Sequence, residues 1–244
     1  MKMPFHSNLA LDSLAAFYFF EPFFSLMNNP LDRAIIERRT CKVFASNALD
    51  GRSDALSKTS IEELIKIAGL APFHRACDEC HRTNGSSLTG IEPWRVHSLD
   101  AASCRNLIEH LPEEGAGKIP RMLNAADALL MVTWLPNPSS SDHNTQSLFE
   151  PTLGNMEHIA AASAAIQNLL LVATDRGIEN YWSSGGVLRQ PELFQHLGIP
   201  TCEILLGAIF LFPPESADLP LERAYSKLRP NRTSPAAWSR WVQL

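Results

Sequence analysis

The sequence feature that most restricts the fold is a long apolar helix predicted over residues 156–176. Small side chains fill its first half, from Ala160 to Ala165, and larger apolar side chains fill its second half. Gly177 follows at a position that suits a helix C-terminus. A helix that is apolar on most of its sides is normally buried. We therefore expect this helix at the centre of a domain or of an interface between subunits.

Shorter patterned segments surround this helix. The continuous apolar runs at 128–135 and 204–212 have the length of buried strands. Shorter strands are predicted at 94–99 and 180–183, and further helices at 28–39, 60–70, 101–110 and 118–125. Because helices and strands are mixed without a regular β-α-β alternation, α+β is the predicted fold class.

The composition of the 244 residues excludes several classes of protein. A net charge of −5 disfavours a general nucleic-acid binder, which normally presents a basic face. The five cysteines are unevenly spread, which disfavours a disulfide framework. The length suits one domain with an appendage. The composition therefore predicts a globular, cytoplasmic protein without a nucleic-acid partner.

The N-terminal segment is apolar and aromatic over residues 9–27, but its sequence matches neither a membrane-spanning helix nor a secretory signal. Asp12, Glu21 and Pro22 interrupt the apolar run, which is too short between them to span a bilayer. We interpret residues 1–28 as an appended arm, either packed on the body or on a partner subunit or disordered. Alternatively, this segment is not natively translated, because Met27 could begin a shorter chain.

Two cationic segments suit the binding of a phosphate monoester. In an extended chain, Arg38, Thr40 and Lys42 point to one side and offer a guanidinium, a hydroxyl and an ammonium group. Lys227 and Arg229 are also two residues apart, and Pro230 favours extended backbone at Arg229. Taken alone, the first segment is better explained by surface charge after a helix, and the second is equally explained by a solvated tail.

A turn rich in serine and glycine follows the strand predicted at 180–183. Its residues, Ser183 to Gly186, could bring backbone N–H groups close to a flat ligand, and the serines add further donors. A tight turn without a ligand is the plainer interpretation. The sequence lacks a Gly-x-Gly-x-x-Gly motif after a strand, which argues against a Rossmann dinucleotide domain.

The order of six short motifs resembles that of the FMN-dependent nitroreductases, in particular the small single-domain NAD(P)H nitroreductases. The motifs are Arg-Arg-Thr-x-Lys-x-Phe at 38–44, Ala-Pro-x-His at 71–74, Pro-Trp-Arg at 93–95, Gln-Asn-Leu-Leu at 167–170, Trp-Ser-Ser-Gly-Gly at 182–186 and Lys-x-Arg at 227–229. Together they cover about residues 29–232. The resemblance implies an α+β nitroreductase-like fold with a mostly antiparallel central sheet flanked by helices, over residues 29–244.

The resemblance also implies a homodimer that binds FMN and passes hydride from NADH or NADPH through the flavin to a small electron-poor molecule. The acceptor would be a nitroaromatic, a quinone or an enone, and no dedicated catalytic acid or base is implied. The implied FMN-binding residues are Arg38, Arg39, Thr40, Lys227 and Arg229 at the phosphate, Lys42 at the polar edge of the ring or the ribityl chain, His74 and Arg75 after the second helix, and Trp182, Ser183, Ser184, Gly185 and Gly186 along the ring.

Two features depart from the family pattern. An Asn or Gln commonly precedes Pro-Trp in the family, but this chain has Gly90, Ile91 and Glu92 there, and a carboxylate donates no hydrogen bond unless protonated. The second feature is an insertion over about residues 75–91. We predict that it is a mobile loop over the substrate side, without a structural metal.

The insertion contains Cys77-Asp78-Glu79-Cys80-His81, which leaves several interpretations open. It matches a haem attachment motif, it could hold zinc together with His74, or it could be a redox-active cysteine pair. A polar loop with two free thiols is the plainest interpretation. Two alternatives to an enzyme remain. One is a flavin-binding protein without turnover, in which Glu92 and the insertion close the substrate side. The other is an electron-transfer module that binds metal or haem through Cys77, Cys80 and His81.

Overall fold

The computed structural model describes residues 29–49, 52, 55–139, 148–215, 219 and 221–243. The interpretation of residues 1–28 as an arm lies outside these ranges. The chain forms two compact units, residues 1–38 and residues 39–244. The domain boundary at residue 28 stays a prediction.

In the first unit, helix α1 spans Pro30–Glu37, as the sequence predicts. The Asn29 side chain caps it by accepting a hydrogen bond from the backbone of Leu31 at 3.0 Å, and Pro30 occupies the first turn, where its missing N–H costs nothing. Arg38 ends the helix and donates its backbone N–H to Ala34 at 2.9 Å.

The second unit contains the other predicted elements. Its helices are α2 (Lys58–Ala68), α3 (Cys80–Thr83), α4 (Ala101–Ile108), α5 (Ile119–Ala125), α6 (Leu153–Asp175) and α7 (Pro191–His196), and its strands are β1 (Cys41–Phe44), β2 (Trp94–Asp100), β3 (Ala128–Trp134), β4 (Glu179–Ser183), β5 (Ile204–Phe212) and β6 (Glu222–Tyr225). The start of α2 differs from its prediction: Ser57, not Ser60, caps the helix, because the Ser57 hydroxyl accepts from the Ser60 N–H at 3.1 Å. Helix α3 lies in the insertion, where no helix was predicted.

The strands form two antiparallel sheets, which confirms the predicted α+β class and its antiparallel sheet. Four strands pair in the order β2-β3-β5-β4, and β1 pairs with β6 in a separate ribbon. The fully buried runs in β3 and β5 lie in the middle of the larger sheet, as their continuous apolar sequences require.

Helices cover both faces of the larger sheet. Because side chains alternate along a strand, Leu129 and Met131 of β3 pack with α4 and α5, whereas Leu130 and Val132 pack with α2 and α6. We call the first side the α4–α5 face and the second the α2–α6 face. The same alternation holds in β5, where Phe210 and Ile209 belong to opposite faces.

Helix α6 is the apolar helix predicted from the sequence. The Thr152 hydroxyl caps its start, and Gly177 follows its end with a φ of +73°, a conformation that favours glycine. Ala162 and Ala165 pack closely against a cluster that includes Trp94 and Trp134. Among the described helices, α6 alone is long and apolar enough to cross a membrane, but a buried core helix passes the same test.

Candidate functional site

The two cationic segments of the sequence meet in the β1–β6 ribbon. Cys41 pairs with Tyr225, and Lys42 pairs with Ala224. The pairing continues to the backbone carbonyl of Thr40, which accepts the N–H of Ser226 at 3.2 Å. Thr40 and Lys42 therefore lie beside the segment that leads into Lys227. We call residues 39–44 and 222–229 the cationic ribbon.

Two cations of this ribbon lie over tyrosine rings. The Arg39 guanidinium carbon is 4.7 Å from the centre of the Tyr225 ring, and the Lys42 ammonium is 5.0 Å from the centre of the Tyr181 ring. A cation held by a ring face keeps its N–H donors for another acceptor. Neither tyrosine was predicted as a site residue, because nothing in the spacing of Tyr181 and Tyr225 along the chain indicates that they meet these cations.

Glu179 joins the ribbon to strand β4. Its carboxylate accepts a hydrogen bond from Arg223 Nε at 2.8 Å and another from the Cys41 thiol at 3.5 Å. Burial, followed by the adjacent Glu179 charge, raises the pKa of Cys41 to about 12. The Cys41 thiol therefore stays protonated and holds the strands together rather than acting as a nucleophile.

Strand β4 continues from Tyr181 into the turn at Ser183 to Gly186, which we call the glycine turn. Both glycines have positive φ, +103° at Gly185 and +54° at Gly186. The φ of Gly185 favours glycine, and a Cβ there would also lie 2.6 Å from the Leu205 side chain. The Ser183 hydroxyl accepts the N–H of Gly185 at 3.1 Å, and the Ser184 carbonyl accepts from Arg189 Nε.

Trp182 lies on the other face of the sheet from Tyr181. Its indole packs in the α2–α6 core and its Nε1 donates to the Leu206 carbonyl at 3.4 Å. The nearest position in the adjacent strand is Gly207, where a Cβ would lie 2.2 Å from that nitrogen. The structure thus does not bring the Trp182 side chain to the ribbon, and its role as a cofactor contact stays a prediction.

The remaining predicted site residues lie in three places. His74 is exposed, and the Arg75 guanidinium forms a 2.8 Å ion pair with Glu157 of α6. The ion pair occupies a donor of Arg75 that the resemblance assigns to FMN. Lys227 is exposed directly after Ser226, and Arg229 begins a short 3₁₀ helix. Arg38 belongs to the first unit.

The insertion was predicted to be a mobile loop, but buried residues hold it in place. Arg95 of β2 is buried and donates to the Gly90 carbonyl at 2.9 Å and to the Glu92 carbonyl at 2.8 Å. Cys77 is also buried, and its backbone N–H binds the Ile91 carbonyl at 2.9 Å. Arg95 was predicted only as part of the Pro-Trp-Arg motif, because no local sequence pattern indicates that its side chain is buried.

His81 is a third anchor of the insertion. It is buried, and its Nε2 lies 2.6 Å from the Pro136 carbonyl, which follows β3. Over the ranges that the structure describes, no group of three His, Cys, Asp or Glu side chains is arranged to hold a metal ion. Because a carbonyl can only accept, His81 Nε2 carries the proton in this contact.

A buried polar network lies close to the insertion, at the start of β5. Glu203 is buried, and one of its carboxylate oxygens accepts from Thr133 Oγ1 at 2.5 Å and lies 2.8 Å from His97 Nε2. Next to it, the insertion, the segments 136–139 and 148–150, and the turn at 201–204 enclose a cavity of about 350 Å³. This network was not predicted from the sequence, because its members are far apart along the chain.

The chemistry of the ribbon fits the phosphate end of FMN. Arg39, Lys42 and Lys227 supply positive charge, and the Thr40 hydroxyl supplies a directed donor. A phosphate monoester requires this combination. Lys42 also contacts β4 through Tyr181, two residues before the glycine turn. The same chain segment could therefore reach from a phosphate toward a flavin ring beside that turn.

The chain is similar to known proteins in both sequence and fold. A sequence model described as "Nitroreductase family" matches residues 35–211. The chain is 25% identical over 166 residues to the "Putative NAD(P)H nitroreductase YfhC" of Bacillus subtilis (strain 168), which covers 68% of this chain and 78% of that protein.

Two solved structures share the fold. A nitroreductase-like family protein from Bacillus cereus has a TM-score of 0.58 at 20% identity, covering 87% of this chain and 96% of that one. A nitroreductase with bound FMN from Desulfitobacterium hafniense DCB-2 has a TM-score of 0.50 at 16% identity, covering 88% of this chain and 99% of that one. The nitroreductase-like fold predicted from the sequence is thereby confirmed.

Proposed function

Because the chain belongs to the nitroreductase family, we propose that it is an FMN-dependent oxidoreductase that uses NADH or NADPH to reduce a small electron-poor molecule. The observation that supports this most is the pairing of β1 with β6, which places Lys42 opposite Ala224 and Thr40 beside Ser226, the residue before Lys227. The relative with bound FMN supports the choice of cofactor. The name of YfhC supports a nicotinamide donor.

In this proposal the ribbon holds the phosphate. Thr40 donates its hydroxyl, Lys227 and Arg229 add charge from the segment that follows β6, and Arg39 lies beside them. Arg38 is included on the resemblance alone. Lys42 binds the ribityl chain or the polar edge of the ring, where a cation favours the reduced, anionic form of a flavin. When bound, FMN supplies the hydride transfer itself.

The glycine turn limits how the ring is placed. Its backbone is held by the hydrogen bonds of Ser183 and Ser184, and both glycines adopt positive φ. A fixed turn can direct a backbone N–H at one edge of a flat ligand. We assign His74 to the same ligand on the resemblance alone, and acceptors from the nitroaromatic, quinone or enone classes all suit an open ring face.

We further propose that the protein is a homodimer. Exposed apolar side chains on α6 support this, since Leu153 and Met156 are 64% and 60% exposed. The C-terminal tail also presents Trp238 and Trp241 to solvent. Large apolar surfaces of this kind typically mark interaction sites. Sedimentation at micromolar concentration with FMN present measures the mass, and a monomer would contradict the proposal.

An absorbance spectrum of the purified protein tests the function. We expect a flavin spectrum that bleaches after anaerobic addition of NADH or NADPH and returns after addition of a quinone. A flavin that neither donor bleaches would indicate a binding protein without turnover. A Soret band would indicate the haem alternative, and failure to bind added FMN would contradict the proposal.

A further inference from the structure

Two exposed thiols line the cavity at the insertion. Of the five cysteines, Cys41, Cys77 and Cys104 are buried, whereas Cys80 and Cys202 are exposed. Cys80 begins α3 within the insertion, and Cys202 lies in the turn before β5. Although they are far apart in the sequence, both line the same cavity of about 350 Å³.

The backbone is fixed beside each thiol. Cys80 precedes His81, which is buried and bound to the Pro136 carbonyl at 2.6 Å. Cys202 precedes Glu203, which is buried and bound to Thr133. The two thiols are therefore exposed neighbours of anchored residues on the wall of one cavity.

The insertion already contacts Cys202. The Asn84 amide donates to Cys202 Sγ at 3.7 Å. The two sulfurs also interact electrostatically: burial, the adjacent Asp78 and then Cys202 raise the pKa of Cys80 to about 11. Cys77 is less suited to pair with either thiol, since it is buried and its Sγ contacts the Gly90 carbonyl at 3.5 Å.

We propose that Cys80 and Cys202 are a reversible redox pair that a peroxide oxidises to an intramolecular disulfide. The Cys202 thiolate attacks hydrogen peroxide, so that an S–O bond forms, the O–O bond breaks and the leaving hydroxide is protonated to water. The Cys80 sulfur then attacks Cys202, the S–S bond forms, and the sulfenic oxygen leaves as a second water with the Cys80 proton. Two thiols lose two electrons, and one peroxide gains them.

The product would fix the insertion to the start of β5. Helix α3 is short and touches the sheet through His81, so a covalent link at Cys80 would add a second attachment beside it. A disulfide restricts the conformations of the loop that it closes. Because the inference depends only on these two thiols and their cavity, it does not rest on the proposed flavin chemistry.

Titration of the full-length protein with hydrogen peroxide tests the pair. We expect two of the five thiols to disappear at low peroxide, to return with dithiothreitol, and to appear in one cross-linked peptide pair containing Cys80 and Cys202. Cys80→Ser and Cys202→Ser should each abolish that cross-link, whereas Cys77→Ser should retain it. A cross-link between Cys77 and Cys80 that survives Cys202→Ser would overturn the proposal, as would independent oxidation of Cys80 and Cys202.

The rate of oxidation provides a second test. The Asp78 carboxylate lies beside Cys80 and raises its pKa, so Asp78→Asn should increase the thiolate fraction at neutral pH and speed cross-linking severalfold. Asparagine can still cap the Cys80 N–H, which Asp78 binds at 2.9 Å. Glu79→Gln is the matched control, since Glu79 is the exposed next residue, and it should leave the rate unchanged. Because Cys80 acts in the second step, the rate to compare is the decay of the Cys202 sulfenic acid after a pulse of peroxide, and equal decay rates in Asp78→Asn and the control would contradict this mechanism.

Discussion

The cationic ribbon and the sheet end beneath the insertion both hold positive charge, but they use it differently. In the ribbon, Arg39 and Lys42 lie over tyrosine rings, so their hydrogen-bond donors face outward from the contact. Beneath the insertion, Arg95 directs its donors to backbone carbonyls and is buried. A cation of the first kind can bind a ligand, whereas a cation of the second kind holds the chain itself.

Polar residues near a site can therefore serve either the stability of the fold or the binding of a ligand. Arg95 and Glu203 lie within the sheet and are satisfied by this chain, so their loss should mainly lower stability. The cationic side chains of the ribbon, Arg39, Lys42 and Lys227, are exposed or half-buried, so their loss should mainly lower affinity. Substitutions of the first kind should change the free energy of unfolding, and substitutions of the second kind should change the Kd for FMN.

The largest effect is expected at Arg95. Replacing it with methionine keeps much of the volume but leaves the carbonyls of Gly90, Glu92 and Trp94 without their donor. We expect a loss of roughly 3–5 kcal/mol in the free energy of unfolding, measured by urea denaturation. Arg232→Met, at an exposed position, is the control and should change stability by less than about 0.5 kcal/mol. A loss of stability no larger than that of the control would contradict the claim that Arg95 holds the chain through these hydrogen bonds.

The next effect concerns FMN affinity. Arg38→Ala and Arg229→Ala should each weaken FMN binding by on the order of 1.5–3 kcal/mol, the scale of a charge-assisted hydrogen bond. Fluorescence titration of the apoprotein with FMN measures the Kd. Lys66→Ala, on the exposed side of α2, should leave it unchanged. If both arginine variants bind FMN as tightly as the wild type, the phosphate site is elsewhere.

The smallest effect is a pH dependence at a second internal charge. Asp127 is buried beside Arg52 at 2.7 Å, and burial raises its pKa above the ordinary value of 3.8 although the arginine opposes the shift. The folded state thus holds this proton more tightly than the unfolded state. The stability that Asp127 contributes is fully present below the unfolded pKa and is lost as the pH rises through the folded pKa.

Urea denaturation of the wild type and Asp127→Asn measures this dependence over a series of pH values. The wild type should lose stability relative to the variant as the pH rises from about 3.8, since asparagine does not titrate. A difference that stays constant across the series would show that Arg52 compensates the burial in full.

Much of the fold was predictable because its elements depend on local patterns. The apolar run that became β5 has the predicted bounds, and Gly177, the glycine predicted at the end of the long helix, follows α6 with a positive φ. The start of α2 was less certain, because Ser57 and Ser60 are both suitable caps and only the packing of Ile61 and Leu64 decides between them. Helix α3 has a single turn, which is too short for a periodic pattern.

The site was predictable only where it consists of repeated residue types close in sequence. The two cationic segments were found from their spacing, but the tyrosines that contact Arg39 and Lys42 were not. Anchoring of the insertion was also missed, because Cys77 and His81 are polar residues whose burial depends on distant carbonyls. Contacts of this kind follow from tertiary packing, which a single sequence does not encode in any local pattern.

The pairing of β1 with β6 also has a consequence for the order of folding. Cys41 and Tyr225 are roughly 180 positions apart, whereas β2 and β3 are neighbours in the chain. Closing so long a loop costs conformational entropy that only the completed core can offset. The ribbon should therefore form last during folding and open first in the native state, so that amide hydrogens of Val43 and Ala224 exchange with solvent sooner than those of β3.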